Sequence, residues 1–433
     1  MSASQAGAPS APASAAQTHA HVTCPFCGLR CDDLEIARSG QALSVTRNGC
    51  DKAKAGFERP LTAAQPRVGG KTVSLGEAIA EAVALIKKAK LPAYGGLATD
   101  VDGMRAIMSI ADKSRGVVDH AFSEAQGRNI KVLQTSGYFM TTLTEARNRA
   151  DLFIIASDVH RFHPRFFERI VCNEKSMFAD DPPKRTVVFL GEGYDTSAAT
   201  GTRIGDVVTI NCPTHRIGEV VSALRTLKKG APLPADTIAG VAKAQIEDLL
   251  ARCHKAEYGV IVWVPPGLDF PNADLTVHQI CEFVKDLNVT QRFAGLSLGG
   301  NEGASTAASV CAWQSGYPLR VSFETGAPHY DPELYAIPAL IASKQTDCLV
   351  WLSSFTADLS PPATDIATVV LGSHDLKLAR EPEVFIPVGT PGIDHRGQLV
   401  RCDSVVSLPL RDLGRDAGLA RTVDVLAAIE AAL

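Results

Sequence analysis

Residues 184–229 read KRTVVFLGEGYDTSAATGTRIGDVVTINCPTHRIGEVVSALRTLKK. Two short runs rich in β-branched residues, 184–190 and 206–211, are followed by an amphipathic helical pattern over 214–229. Continuous apolar runs of this length are what strands buried on both faces look like. The helical stretch has the length that a crossover between parallel strands requires. The alternation recurs on either side, with strand-like runs at 151–156 (DLFIIA), 258–264 (YGVIVWV), 347–353 (DCLVWLS) and 365–371 (DIATVVL), and helical patterns at 240–252 and 275–286. The pattern predicts an α/β chain built on two doubly wound parallel sheets.

The chain has 433 residues, 45% of them apolar and 21% charged, which is material for two or three cores. A net charge of −4 supplies no basic field, so the composition speaks against nucleic acid and against an anionic membrane surface as partners. The first 21 residues contain no Lys, Arg, Asp or Glu and no sustained apolar run. They lack the parts of a secretory signal and read as a flexible tail. No apolar stretch reaches 18 residues, so a soluble, cytoplasmic protein is expected. In that compartment the eleven cysteines stay reduced, and a group of four binds metal in preference to forming disulfides.

Such a group opens the chain beyond the tail. Cys24, Cys27, Cys31 and Cys50 follow the spacing C-x2-C-x3-C-x18-C, with Asp51 and Lys52 directly after. Three thiolates on one tight loop and a fourth brought back after a short excursion suit either an iron–sulfur cluster or a tetrahedral metal ion. The other seven cysteines, Cys172, Cys212, Cys253, Cys281, Cys311, Cys348 and Cys402, stand singly and read as small buried hydrophobes.

In open parallel sheets ligands bind beyond the carboxyl ends of the strands, which directs attention to three loops. The segment 295–303 (GLSLGGNEG) carries Gly299, Gly300 and Asn301. It has the glycine density for backbone amides to approach a phosphate, and equally for a plain tight turn; it is neither a P-loop nor a clean G-x-G-x-x-G. The segment 157–165 (SDVHRFHPR) places His160 and His163 three apart, a metal-binding spacing only on a helix. Pro164 argues for a loop, and the reading preferred is a solvated or structurally bonded one. Arg161, Arg165 and Arg169 there suit an anionic ligand or partner. The segment 389–397 (GTPGIDHRG) reads as turns.

The cysteine stretch 21–33 (HVTCPFCGLRCDD) with 48–52 (NGCDK) resembles the N-terminus of the B-type subunit of formylmethanofuran dehydrogenase, a relative of the molybdopterin formate dehydrogenases. Further matches run along the chain at 118–120 (VDH), 148–151 (NRAD), 163–165 (HPR), 315–318 (SGYP), 328–332 (PHYDP) and 391–393 (PGI). The resemblance implies a [4Fe-4S] cluster on Cys24, Cys27, Cys31 and Cys50, with Lys52 between it and a tungsto- or molybdopterin. It also implies a metal-ligating cysteine or selenocysteine, followed by histidine, where this chain reads 119–127 (DHAFSEAQG). Ala125 stands in the place of the thiolate and Gln126 in that of the histidine. A methyl group has no lone pair for a soft metal, and an amide does not exchange a proton near pH 7. Glu124, next door, is the one oxygen donor on offer as a substitute ligand. The two losses together read as a retired redox centre, with no Mo/W-pterin expected, while the four cysteines hold a [4Fe-4S] cluster, hold zinc or remain thiols.

The family includes a setting of that kind, the formyltransferase/hydrolase complex of methylotrophic bacteria. Its B-type subunit resembles that of the dehydrogenase, yet the complex performs no redox chemistry. The resemblance implies partners in an amidohydrolase-like A-type subunit, a C-type subunit and a D-type formyltransferase, and a pathway from formyl-tetrahydromethanopterin through a methanofuran-like carrier to formate. The expected organisation is a tail over 1–21, a cysteine domain over 22–68, a discontinuous α/β domain over 69–140 and 315–433, and an inserted α/β domain over 141–314. After Leu410 the remaining residues read as a helix over 412–433, which leaves no room for the pterin-covering barrel of the molybdopterin enzymes. The expected role is a structural, non-redox subunit, with Lys52, Gly299, Gly300 and Asn301 lining a vestigial pterin pocket. The rival readings are an active molybdenum or tungsten formylmethanofuran or formate dehydrogenase chain, and a plain electron-transfer module.

Overall fold

A computed structural model describes residues 17–433. Its architecture is mixed α/β with two sheets dominated by parallel strands. The smaller sheet has five strands, all parallel, in the order Ile204–Ile210, Arg185–Leu190, Leu152–Ile155, Gly259–Trp263, Phe293–Ser297. The larger has nine, in the order His329–Tyr330, Val321–Ser322, Val117–Val118, Pro92–Ala98, Cys348–Ser353, Ala367–Gly372, Val384–Pro387, Arg67–Val68, Lys71–Thr72. Its middle five are parallel and its edges antiparallel. All six runs expected as strands are strands, with ends displaced by a residue or two, as at 204–210 in place of 206–211. The expected helices are present as Ile217–Lys228, Lys243–Lys255 and Ala273–Leu287.

Each sheet reverses its direction of growth once. In the small sheet the reversal lies between Leu152–Ile155 and Gly259–Trp263, and in the large one between Pro92–Ala98 and Cys348–Ser353. Side chains alternate along each strand, so each sheet has two cores. Leu152, Ile154, Val188, Leu190, Ile261 and Trp263 pack against the helices Ile217–Lys228, Lys243–Lys255 and Ala273–Leu287. Phe153, Ile155, Val187, Phe189, Val260 and Val262 face the opposite way, into a core that includes Leu143, Ala146, Phe166, Phe167 and Ile170 and extends to Val22, Leu34, Ile36 and Phe57 of the cysteine segment.

The cysteine segment shares this second core with the small sheet. It forms a three-stranded antiparallel sheet (Gln17–Val22, Leu34–Ser39, Ala42–Arg47) and a short helix, Asp51–Phe57. Sequence runs show how apolar a strand is, not which layer covers it. Gln17–Val22 is a strand, so the expected tail ends before residue 17, and residues 1–16 lie outside those described. Arg67–Val68 pairs with Val384–Phe385 of the large sheet. Val132 of helix Ser123–Thr135 joins the core of the small sheet, whereas Ala307 and Val310 of helix Ala304–Ser315 join that of the large one. The terminal helix is Thr422–Ala432, shorter than the expected 412–433. It docks on helix Val101–Lys113, where Lys113 Nζ donates to the Glu430 carbonyl at 2.7 Å. Among the described residues no helix is long and apolar enough to cross a membrane.

Candidate functional site

The cysteine loop is compact. Cys24 N–H donates to the Cys31 carbonyl at 2.8 Å, which closes the loop. Cys24, Cys27 and Cys31 are each 4% exposed, and Cys50 is partly exposed at the start of helix Asp51–Phe57. Burial pushes the Cys24 thiol well up, and the neighbouring Cys27, Cys31 and Cys50 sulfurs push it further. Burial lifts Cys31 to about 12, with Cys27 adding to it and Arg169 and Arg165 opposing. Among the described residues, no three His, Cys, Asp or Glu side chains converge on one point to hold a single ion. The four cysteines thus form no closed ligand set.

The glycine segment lies directly against this loop. Gly28 N–H donates to Asn301 Oδ1 at 2.9 Å, and Arg30 Nη2 donates to the Gly300 carbonyl at 2.8 Å. His163 Nε2 stands 3.2 Å from the Gly299 carbonyl. A Cβ on Gly28 would lie 1.8 Å from the Gly299 oxygen, so the close approach of the two loops is what requires a glycine at 28. Gly300 has φ +83°, a left-handed turn that favours glycine in its own right.

Ala125 and Gln126 lie on the first turn of helix Ser123–Thr135. With Phe162, His163, Pro265 and Gly299–Asn301 they line a cavity of about 80 Å³. The structure thus brings together the glycine loop and the two positions singled out by the resemblance. Gln126 Oε1 is buried there without a partner. Glu124 does not turn inward: its side chain is 78% exposed and its Oε2 pairs with Arg320 Nη2 at 3.0 Å. It is not placed as a substitute metal ligand.

Beside this cavity a cleft of about 470 Å³ opens at the carboxyl ends of both sheets, lined by Lys52, Arg59, Asn301, Glu302, Thr356 and Asp375 with phenyl walls from Phe26, Phe122, Phe162 and Phe355. A crevice beyond the carboxyl ends, next to a reversal of strand order, is where α/β sheets bind ligands. Lys52 lines it, with Nζ donating to the Phe162 carbonyl at 2.9 Å. Glu302 was not anticipated. It has φ +49°, rare for a residue with a side chain, and its shielded Oε2 has no partner. Burial pushes its carboxyl up to about 7, against the pull of Thr356, Arg30, Arg59 and Lys52. Arg59 donates to Asp375 at 3.1 Å and to Thr390 at 2.7 Å. A second cleft of about 490 Å³, with Asp158, Arg161, Glu192, Tyr194 and His215 on its walls, lies at the reversal of the small sheet.

The remaining sequence candidates resolve structurally. His163 is fully buried and held neutral by desolvation, with its pKa lowered to about 3. His160 is partly exposed, 4.0 Å from Asp195, so the two histidines do not share a ligand. Arg165 and Arg169, read as suited to an external anion, are already engaged. Arg165 forks onto Asp33 at 2.7 and 2.9 Å and onto Glu168, and Arg169 spans Asp33 and Asp32 at 2.9 and 2.7 Å. A π-helical turn, Phe167–Val171, carries Arg169. Asp394 of the 389–397 turns pairs with the buried Arg415 at 2.7 Å.

No protein-family model matches the chain. It is 26% identical over 401 residues to the B-type subunit of the tungsten-containing formylmethanofuran dehydrogenase 2 of Methanocaldococcus jannaschii, covering 89% of this chain and 91% of that one. It is 25% identical over 336 residues to the B-type subunit of the formyltransferase/hydrolase complex Fhc of Methylorubrum extorquens, covering 77% and 87%. In three dimensions it superposes with a TM-score of 0.72, at 23% identity, on a chain of the crystal structure of the formyltransferase/hydrolase complex FhcABCD of Methylorubrum extorquens with methylofuran, covering 84% of this chain and 98% of that one. The resemblance drawn from the cysteine stretch therefore extends over most of the chain and reaches both kinds of B-type subunit. Overall identity does not separate the two.

Proposed function

We propose that the chain is the non-redox, structural B-type subunit of a formyltransferase/hydrolase complex in one-carbon metabolism, soluble and cytoplasmic. In this reading it assembles with an amidohydrolase-like A-type subunit, a C-type subunit and a D-type formyltransferase, which together carry a formyl group from formyl-tetrahydromethanopterin through a methanofuran-like carrier to formate. One observation carries the reading: Ala125 and Gln126 face the cavity against the glycine loop, and Glu124 faces away, paired with Arg320. The helix offers no thiolate or carboxylate at that point, only the amide oxygen of Gln126. Metal analysis of the protein purified from its host tests it. Stoichiometric Mo or W, or viologen-linked oxidation of formate or formylmethanofuran, would overturn it. The second reading, an active Mo/W-pterin dehydrogenase chain, is favoured by the cleft of about 470 Å³ and its cationic residues Lys52 and Arg59; the same measurements decide between the two.

The organisation proposed with this role is a cysteine unit upon two α/β units. The four cysteines are proposed to hold a [4Fe-4S] cluster, with zinc as the alternative. Arg30 supports an anionic group there: it is 1% exposed, its Nε has no partner, and among the described residues it forms no ion pair with a carboxylate. Zinc–sulfur bonds of about 2.3 Å would draw four sulfurs within about 4 Å of one another. When bound, the cluster would tie the loop of Cys24, Cys27 and Cys31 to the helix that begins after Cys50.

A further inference from the structure

Arg30 sits between two of the proposed ligands and is also bonded to the glycine loop. Its backbone is left-handed, with φ +48°. Its guanidinium donates to the Pro25 carbonyl within the cysteine loop and to the Gly300 carbonyl outside it. Two neighbouring contacts reinforce the second bond: Gly28 N–H on Asn301 Oδ1, and the seating of Gly28 against the Gly299 oxygen. Asn301 and Glu302, which follow Gly300 directly, form part of the cleft wall. A strained, buried cation is therefore the link between a set of four thiols and the wall of a ligand-sized cleft.

A buried guanidinium that is satisfied by carbonyls and, among the described residues, forms no ion pair with a carboxylate is costly to hold in place. Four thiolates bound to a metal group place negative charge beside it and remove that cost. Protonated thiols do not. Loading of the cysteines and docking of Arg30 then stabilise each other, because coupling between two sites is reciprocal.

We infer that Arg30 is a positioning residue through which occupancy of the Cys24, Cys27, Cys31 and Cys50 set fixes the loop 298–303 and thereby the shape of the cleft. This rests on the proposal above that the four cysteines hold a metal group. In the loaded chain Arg30 locks onto Gly300, Gly28 locks onto Asn301, and Asn301 and Glu302 take up the positions described. In the stripped chain the guanidinium loses its counter-charge and the loop loosens.

The test is hydrogen–deuterium exchange on the full-length chain in the assembly in which it purifies anaerobically, before and after a chelator, with iron and zinc measured in each sample. Stripping is expected to speed exchange in the peptide covering 298–303 at least tenfold, while the strand Gly259–Trp263 keeps its protection. Arg30→Met is expected to exchange fast in this peptide whether loaded or stripped, and Arg30→Lys, which keeps the charge, to retain part of the metal response. Should Arg30→Met fail to fold, the wild-type comparison and Arg30→Lys carry the decision. Equal exchange of 298–303 in loaded and stripped wild type overturns the inference and leaves the metal reading intact, as does loss of protection spread evenly over the chain. A purified chain with neither iron nor zinc overturns the metal reading, and this inference with it.

Discussion

Glu302→Gln is expected to stabilise the protein above neutral pH and to change little near pH 4. The side chain is held beside Thr356, Arg30, Arg59 and Lys52, yet burial outweighs them and its carboxyl rises from 4.5 to about 7. The sign follows from proton binding. Between these values the folded state holds a proton that the unfolded state has lost, so stability falls as pH rises through the interval. At about 1.4 kcal/mol per pH unit, the interval gives a cost of about 3 kcal/mol at pH 8. An amide is a neutral mimic of the protonated acid and removes that cost. His120 and His163, lowered by burial to about 4 and about 3, are neutral in the fold and weaken it as pH drops below 6.5. They act in the opposite direction, so the difference between variant and wild type isolates Glu302. Thermal melting of both proteins across pH 4 to 8 is the assay, with a gain of a few degrees expected at pH 8 and convergence at the acid end. A difference that does not vary with pH, or a variant less stable at pH 8, would refute the reasoning and mean that an ionised Glu302 is held by Arg30, Arg59 and Lys52.

Cys27→Ser is expected to lower iron or zinc content and melting temperature together, because binding energy at such a site is folding energy; unchanged metal and unchanged melting would make the thiols vestigial. Asp394→Asn removes the charge facing Arg415, whose side chain is fully buried, and is expected to cost about 3–5 kcal/mol in urea unfolding. A loss under about 1 kcal/mol would show that the amide and the surrounding carbonyls satisfy the guanidinium. Trp313, Phe139, Leu133 and Leu334 are 64%, 55%, 51% and 48% exposed. Coexpression with A-, C- and D-type subunits is therefore expected to raise the soluble yield over that of the chain alone, and a monodisperse, unassociated chain in size-exclusion chromatography would count against the structural role.

The strands that sequence made legible are those with side chains suited to a two-faced interior. Pro92–Ala98, central to the large sheet, escaped because it reads PAYGGLA. Its glycines answer to neighbours far away in the chain: a Cβ on Gly95 would come within 2.9 Å of Ile337 and Trp351, and Gly96, at φ +71°, lies against the Leu352 carbonyl where the register shifts. Local propensity carries no trace of such an approach. The candidate site divides in the same way. The cysteines announce themselves by spacing, and Ala125 and Gln126 by the resemblance. Arg30 and Glu302 matter through contacts across about 270 residues, and the only sequence sign of either is a charge inside a tightly turning segment.

The two parts of the site also differ in what their loss would cost, and this bears on why one is intact and the other is not. Cys24, Cys27 and Cys31 belong to the core that joins the cysteine segment to one face of the small sheet. Replacing any of them with a polar residue would place a buried hydroxyl or amide in that apolar core. Ala125, by contrast, lines a cavity of about 80 Å³ on the first turn of a helix, and alanine is the best helix former. Exchanging a cysteine for alanine there removes one sulfur from a wall that already borders open space. A chain relieved of redox chemistry can thus lose the ligand at 125 at little cost to folding while its fold goes on requiring the buried thiols. Intact cysteines beside Ala125 are therefore compatible with a purely structural role, and the metal content of Cys27→Ser distinguishes thiols that hold a cluster from thiols that only pack.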